Sequence, residues 1–150
     1  MLTDFQLLCP ADDIYPHFPN IYPIRGAPAR SAIQWANTIK MFSEMDIDTM
    51  MGCHGPVVHG AKAVNDILNI YHDGIKYVHD QTIRGMEHLL SYDEIIEGAK
   101  LPKTLAEHPW LKERFFDLKH FYWKIIVYMH KNTTKLVYSH HAISKIFHIV

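Results

Sequence analysis

The side chains best placed for metal or acid–base chemistry are a histidine in a glycine-walled turn and an acidic pair just past a short apolar run. The histidine is His54, in Gly52-Cys53-His54-Gly55-Pro56-Val57-Val58-His59-Gly60. Glycines at 52 and 55 open backbone conformations closed to other residues, and Pro56 stiffens the exit, so the imidazole can be held outward from a rigid edge. Such a presentation suits a metal ligand; an ordinary turn histidine is the alternative, and one ligand makes no site. The acidic pair is Asp12-Asp13, which follows Phe5-Gln6-Leu7-Leu8-Cys9 and Pro10. Carboxylates delivered just past a strand end are well placed for a site, and a solvated turn is the plainer reading.

The other histidines offer less. His72 and His79 are seven residues apart on one helical face, which is about 10 Å and too far for a single ion; they read as packing or polar-face residues. His140-His141 has no matching carboxylate nearby and reads as a solvated pair. His59 can support the His54 turn from behind or simply lie on the surface.

Several elements must position these groups. Phe5–Cys9 reads as a strand stopped by Pro10, and Pro16–Pro28 as an extended connector because its prolines forbid continuous helix. Residues 29–45 carry Ile33, Ala36, Ile39, Met41 and Phe42 near helical spacing, with Pro28 available for the first turn. Thr49–Cys53 is a second short strand leading into the His54 turn. Strand, loop, helix, strand and loop make one repeat of an α/β layer whose sheet needs further strands, expected N-terminal to them.

From Ala61 to Leu90 the apolar residues Val64, Ile67, Leu68, Tyr71, Ile75, Val78 and Met86 share a face, which predicts a long helix mildly interrupted at Gly74. Ser91 with Glu94 fits a capping box opening a shorter helix through Ile95, Ile96 and Ala99, ended by Pro102. Lys103–Phe115 adds another short helix around Leu105 and Leu111. Beyond 115 the composition changes: Asp117 is the only acidic residue left and neither Gly nor Pro occurs through Val150.

In this order, the segments Asn20-Ile21-Tyr22-Pro23-Ile24-Arg25-Gly26-Ala27-Pro28-Ala29-Arg30, the His54 turn, Asp73 to Thr82, Lys100-Leu101-Pro102 and Ala106-Glu107-His108-Pro109 resemble the alkyl sulfatases of the metallo-β-lactamase superfamily. The resemblance runs from about Cys9 to about Arg114. It implies a fold that is mostly α, with the edge of a metallo-β-lactamase α/β sandwich followed by an α-helical dimerisation domain. Residues 1–60 would be the C-terminal part of the catalytic domain, 61–115 an incomplete dimerisation domain and 116–150 a divergent tail.

The same resemblance implies binuclear zinc chemistry, in which two ions activate a water and clamp a sulfate ester. His54 falls where the family places a histidine ligand and Asp12 where a metal-binding carboxylate follows a strand. Asn20 and Arg25 match positions near the sulfate group, a role that suits the planar guanidinium fork; Arg25 bonding backbone carbonyls of its own connector is the rival reading. Pro19 stands where some relatives carry a histidine, so an acid role there is not carried over. The family's His-x-His-x-Asp-His motif does not occur in these 150 residues. The expectation is therefore a fragment inactive by itself, cut from an enzyme that hydrolyses alkyl sulfates to alcohol and sulfate.

Homodimerisation is expected through Tyr71, Tyr77 and the apolar stripe around them. A non-catalytic dimerisation module and a metallohydrolase of another ester class are the alternatives. Fifteen basic against sixteen acidic residues give a net charge of -1, which offers no field for nucleic acid or an anionic membrane. No run approaches the roughly 20 apolar residues of a membrane span. Two cysteines build no disulfide framework, and Cys9 and Cys53 read as small buried thiols. No signal peptide is visible, so with Met1 as the true start the default compartment is cytoplasmic.

Overall fold

The computed structural model describes residues 5–21, 30–113 and 118–132. Their elements run β1 (Leu7–Leu8), a 3-10 turn at Ala11–Asp13, α1 (Ala32–Ser43), β2 (Thr49–Met50) and β3 (Val58–His59). Then follow α2 (Ala61–Glu87), α3 (Tyr92–Gly98), α4 (Lys103–Ala106), a 3-10 turn at Pro109–Leu111 and α5 (Leu118–Asn132). The fold is mostly helical, with one small sheet of order β1-β2-β3.

β1 pairs parallel with β2, Leu7 opposite Thr49 and Leu8 opposite Met50. A parallel pair needs a crossover rather than a hairpin, and α1 supplies it. The consequence for function is immediate: both strands end at the same edge of the sheet, so the loops carrying Asp12 and His54 leave side by side. The sequence reading overlooked β3, which pairs antiparallel with β2, Thr49 opposite His59 and Met50 opposite Val58. Two residues of β-forming character give too short a period to recognise, yet this strand makes the His54 turn the loop of a β2–β3 hairpin.

The core lies where α1 and α2 pack on each other. Ala32, Trp35, Ala36 and Ile39 are the buried face of α1, and Val64, Leu68, Tyr71, Ile75 and Val78 that of α2. Leu8, Ile14, Ile47 and Met50 join them from the strands and loops, and Phe121, Tyr122 and Ile125 from α5. Residues before and after position 60 contribute to this one cluster. Tyr71 of the α2 stripe is fully buried within the chain, while Ile67 and Tyr77 of the same stripe are partly exposed.

Three local departures from the sequence reading have physical causes. Ser31, not Pro28, opens α1, its hydroxyl accepting the Gln34 N–H. Helix α2 runs through Gly74 without a break because Gly74 is buried against Leu111, whose methyls lie 2.8 and 2.9 Å from where a Cβ would stand. The glycine is a close-approach point. His108 and Pro109 divide the expected helix of 103–115, as Pro109 disfavours helical backbone in the residue before it. Of the expected divergent tail, 118–132 forms α5, and Tyr122 donates its hydroxyl to the Ala99 carbonyl; His140-His141 lies outside the described residues. The capping box is present: Ser91 and Glu94 exchange both bonds at the start of α3.

Candidate functional site at the strand ends

Two loops leave the carboxyl ends of β1 and β2, and backbone contacts join them. The Met51 N–H donates to the Leu8 carbonyl (2.9 Å) and the Cys53 N–H to the Ala11 carbonyl (3.3 Å). Gly52 allows this approach, since a Cβ there would lie 3.0 Å from the Ile14 carbonyl oxygen and 3.5 Å from that of Ala11. Gly55 has φ +98° and sits against the ring of Pro16, 2.7 Å from Cδ to the position of an added Cβ. Both glycines therefore serve closure between the loops as well as freedom within one turn.

This closure brings two of the sequence-predicted residues together. His54 Nδ1 donates to Asp12 Oδ1 at 2.8 Å, with 68% and 55% of the two side chains exposed. With the proton on Nδ1, the lone pair of Nε2 faces away from the carboxylate. Asp12 is presented by the 3-10 turn Ala11–Asp13, entered through Ala11 at φ +52°, a left-handed conformation uncommon for alanine. Its neighbour Asp13 has a different environment. Burial raises its carboxyl above the usual range, partly offset by the Arg30 guanidinium and reinforced by Asp12.

Trp35 braces the turn from α1, its indole N–H donating to the Asp13 carbonyl at 2.8 Å. The Arg30 guanidinium lies 5.2 Å from the centre of the Trp35 ring, within cation–π range. No pattern in the sequence marked Trp35 as a brace; only the crossover of α1 over the strands places it there. Asn20, expected near a sulfate, is half-buried and fixed through its backbone N–H, which donates to Tyr15 Oη at 2.7 Å. Burial raises the Tyr15 hydroxyl, the Asn20 bond opposing, and raises Tyr71 much further. Arg25 lies outside the described residues.

His59, His72 and His79 have side-chain partners away from this pair. His59 Nδ1 meets Thr49 Oγ1 at 3.2 Å across the β2–β3 pair. His72 and His79 each bond the aspartate that follows, Asp73 at 2.9 Å and Asp80 at 3.0 Å. Cys9 and Cys53 are exposed free thiols, contrary to the buried pair expected.

An imidazole nitrogen and a carboxylate oxygen are donors that zinc accepts. Two side chains nevertheless fill only half of one tetrahedral shell, and among the described residues no group of three or more His, Cys, Asp or Glu converges to hold an ion. As a lone acid–base dyad the pair is equally incomplete, because catalysis by proton transfer needs a substrate held beside it.

Comparison with known proteins bears on the chain as a whole. No family model matches the sequence. Over 106 residues the chain is 36% identical to a linear primary-alkylsulfatase of Pseudomonas sp., a match covering 70% of this chain and 20% of that protein. It is 27% identical over 114 residues to the alkyl/aryl-sulfatase BDS1 of Saccharomyces cerevisiae, covering 74% and 18% respectively. The fold resembles part of the stereoselective inverting sec-alkylsulfatase Pisa1 from Pseudomonas sp., at TM-score 0.76 and 22% identity over 93% of this chain and 23% of that one. A double mutant of the same sulfatase superposes equally well, at TM-score 0.76 and 24% identity. The chain spans about a fifth of the length of the curated relatives it matches. With its sheet-end loops and helical layer, it belongs to the alkyl sulfatase family, as a stretch of that proportion.

Proposed function

We propose that this chain supplies one wall of a zinc-dependent alkyl sulfatase centre, with His54 and Asp12 as two ligands and the others contributed by sequence outside these 150 residues. The observation that carries the reading is the 2.8 Å Asp12–His54 contact at the shared end of two parallel strands. Two residues 42 apart in sequence meet there through backbone closure of both loops, at the edge where α/β sheets bind ligands. The whole protein would hydrolyse an alkyl sulfate ester to alcohol and sulfate, with Asn20 and Arg25 toward the sulfate. The described part of this chain has no convergent set for two ions, so the 150 residues alone should release no sulfate from dodecyl sulfate.

The test is a chimera in which this chain replaces the matching fifth of the Pseudomonas linear primary-alkylsulfatase. Sulfate release that falls at least about a hundredfold in the His54→Ala chimera supports the reading. A folded, zinc-loaded chimera whose activity is indifferent to His54 and Asp12 refutes it.

Self-association belongs to the same proposal, through a different face from the α2 stripe. Phe5, Met51 and Val57 are exposed apolar residues flanking the strands of the small sheet, and open sheet edges invite pairing. A dimer by sedimentation at low micromolar concentration is expected; a monomer there ends this part of the proposal. No helix among the described residues is long and apolar enough to cross a membrane.

A further inference from the structure

The Ala11–Asp13 turn that presents Asp12 is tied at both of its ends. On one side the Cys53 N–H donates to the Ala11 carbonyl at 3.3 Å. Cys53 belongs to the same loop as His54, so this bond relates the two loops only to each other. On the other side the Trp35 indole N–H donates to the Asp13 carbonyl at 2.8 Å, across 22 residues of sequence. Asp12 is the residue between the two tied carbonyls. Trp35 thereby refers the turn, and the Asp12–His54 pair with it, to the helical layer.

The Trp35 donor is held in one direction. Its side chain is 6% exposed, on the buried face of α1 with Ala32, Ala36 and Ile39. Ser31 caps that helix and accepts the Trp35 backbone N–H at 3.0 Å, which fixes the turn from which the ring projects. The Arg30 guanidinium lies 5.2 Å from the ring centre. An indole has one donor and no acceptor, so a clamped ring aims its N–H along a single line. The pair it serves has no such clamp: His54 and Asp12 are 68% and 55% exposed, so packing contributes little to their orientation and the backbone under Asp12 decides it.

We propose that Trp35 is a positioning residue for the Asp12–His54 pair. By holding the Asp13 carbonyl, its indole N–H sets the direction from which the Asp12 carboxylate meets His54 Nδ1, and so keeps Nε2 on the open side. The metal part of this inference rests on the zinc reading above; the positioning part does not. An ordinary core tryptophan whose N–H is simply satisfied is the rival account.

The test replaces Trp35 site-specifically by benzothienylalanine, the same bicyclic shape with sulfur in place of N–H, and separately by phenylalanine (Trp35→Phe). The first readout is nitrogen NMR of the His54 imidazole in the metal-free 150-residue chain, at a pH where the ring is neutral, with His54→Ala identifying its resonances. The parent should show the Nδ1–H tautomer, and both variants a shift toward Nε2–H, the form that free histidine favours. The second readout is titration with zinc alone, where both variants should bind about tenfold more weakly than the parent.

A parent already in the Nε2–H form, or an Nδ1–H tautomer unchanged by benzothienylalanine, would overturn the proposal. So would a benzothienylalanine chain that no longer folds by circular dichroism, because the donor would then hold the fold rather than the pair. Unchanged zinc affinity beside a shifted tautomer, in a parent whose zinc binding needs His54, would overturn it as well. A shifted tautomer in a chain that binds no zinc upholds the positioning role and counts against the zinc reading instead, so the two failures are distinguishable.

Discussion

Gly55→Ala tests whether closure of the two loops, and with it the Asp12–His54 pair, depends on the absence of a side chain. Two costs apply. An alanine held at φ +98° is strained by about 1–3 kcal/mol. Its Cβ would also stand 2.7 Å from Pro16 Cδ and 2.9 Å from Cγ, atoms of a rigid ring that cannot rotate away, and overpacking of this kind costs about 1–3 kcal/mol. The sum, about 2–6 kcal/mol, is a large share of the roughly 5–15 kcal/mol typical of a domain. Gly60→Ala is the control, because Gly60 has φ +95° but nothing within 4 Å of the added Cβ. Urea unfolding followed by circular dichroism should show Gly55→Ala losing about 1–3 kcal/mol more than Gly60→Ala. Pro16→Ala in the Gly55→Ala background should recover most of that difference, the signature of a direct pairwise term. Equal losses at 55 and 60, within about 0.5 kcal/mol, would refute the claim that Pro16 and Gly55 close the loops on each other.

Ala11→Gly should leave stability unchanged or raise it by about 0.5 kcal/mol, since relief of the left-handed conformation offsets glycine's extra unfolded freedom; a loss above about 1 kcal/mol in the same urea assay would contradict this. Ser91→Ala removes the hydroxyl half of the capping box and should cost about 1 kcal/mol, read as a lower thermal midpoint. Acid titration of stability should separate two aspartates of opposite sign. Burial raises Asp80, but hydrogen bonds from Lys76 and His79 outweigh it and hold the carboxyl below its usual value. Its stabilisation is therefore present above about pH 4 and lost as pH falls through the lower folded value, so Asp80→Asn should flatten that acid limb. Asp13 is raised by burial, so its ionisation opposes folding as pH rises from about 4 through the folded value. Asp13→Asn should be at least as stable as the parent at pH 7, and a clear loss would show that the Arg30 attraction dominates.

Legibility in the sequence followed the length of each signal. Helix α2 spans 27 residues with a sustained apolar face, and the capping box at Ser91 is a local rule, so both could be read directly. Two-residue strands carry almost no period, which is why β3 passed unnoticed although it turns the His54 loop into a hairpin. Gly74 read as a weak point because its partner Leu111 lies 37 residues away, a contact no local pattern can express. The tail segment at 118–132 diverged in composition yet kept enough apolar residues, Phe121, Tyr122, Ile125 and Ile126, to fill the core. For the site, His54 and Asp12 came from their turns and family likeness, and the fold joined them. Trp35, Pro16 and the glycine approaches that make the joint were invisible because they are properties of two loops together.

Zinc titration of the purified 150-residue chain, with His54→Ala beside it, tests most directly whether the Asp12–His54 pair is part of a larger metal centre. Two ligands supply roughly half the binding free energy of a full four-ligand site, so the affinity should be on the order of micromolar or weaker. That weak binding should disappear in His54→Ala. Two tightly held zinc ions per chain, or zinc binding untouched by the loss of His54, would contradict the account.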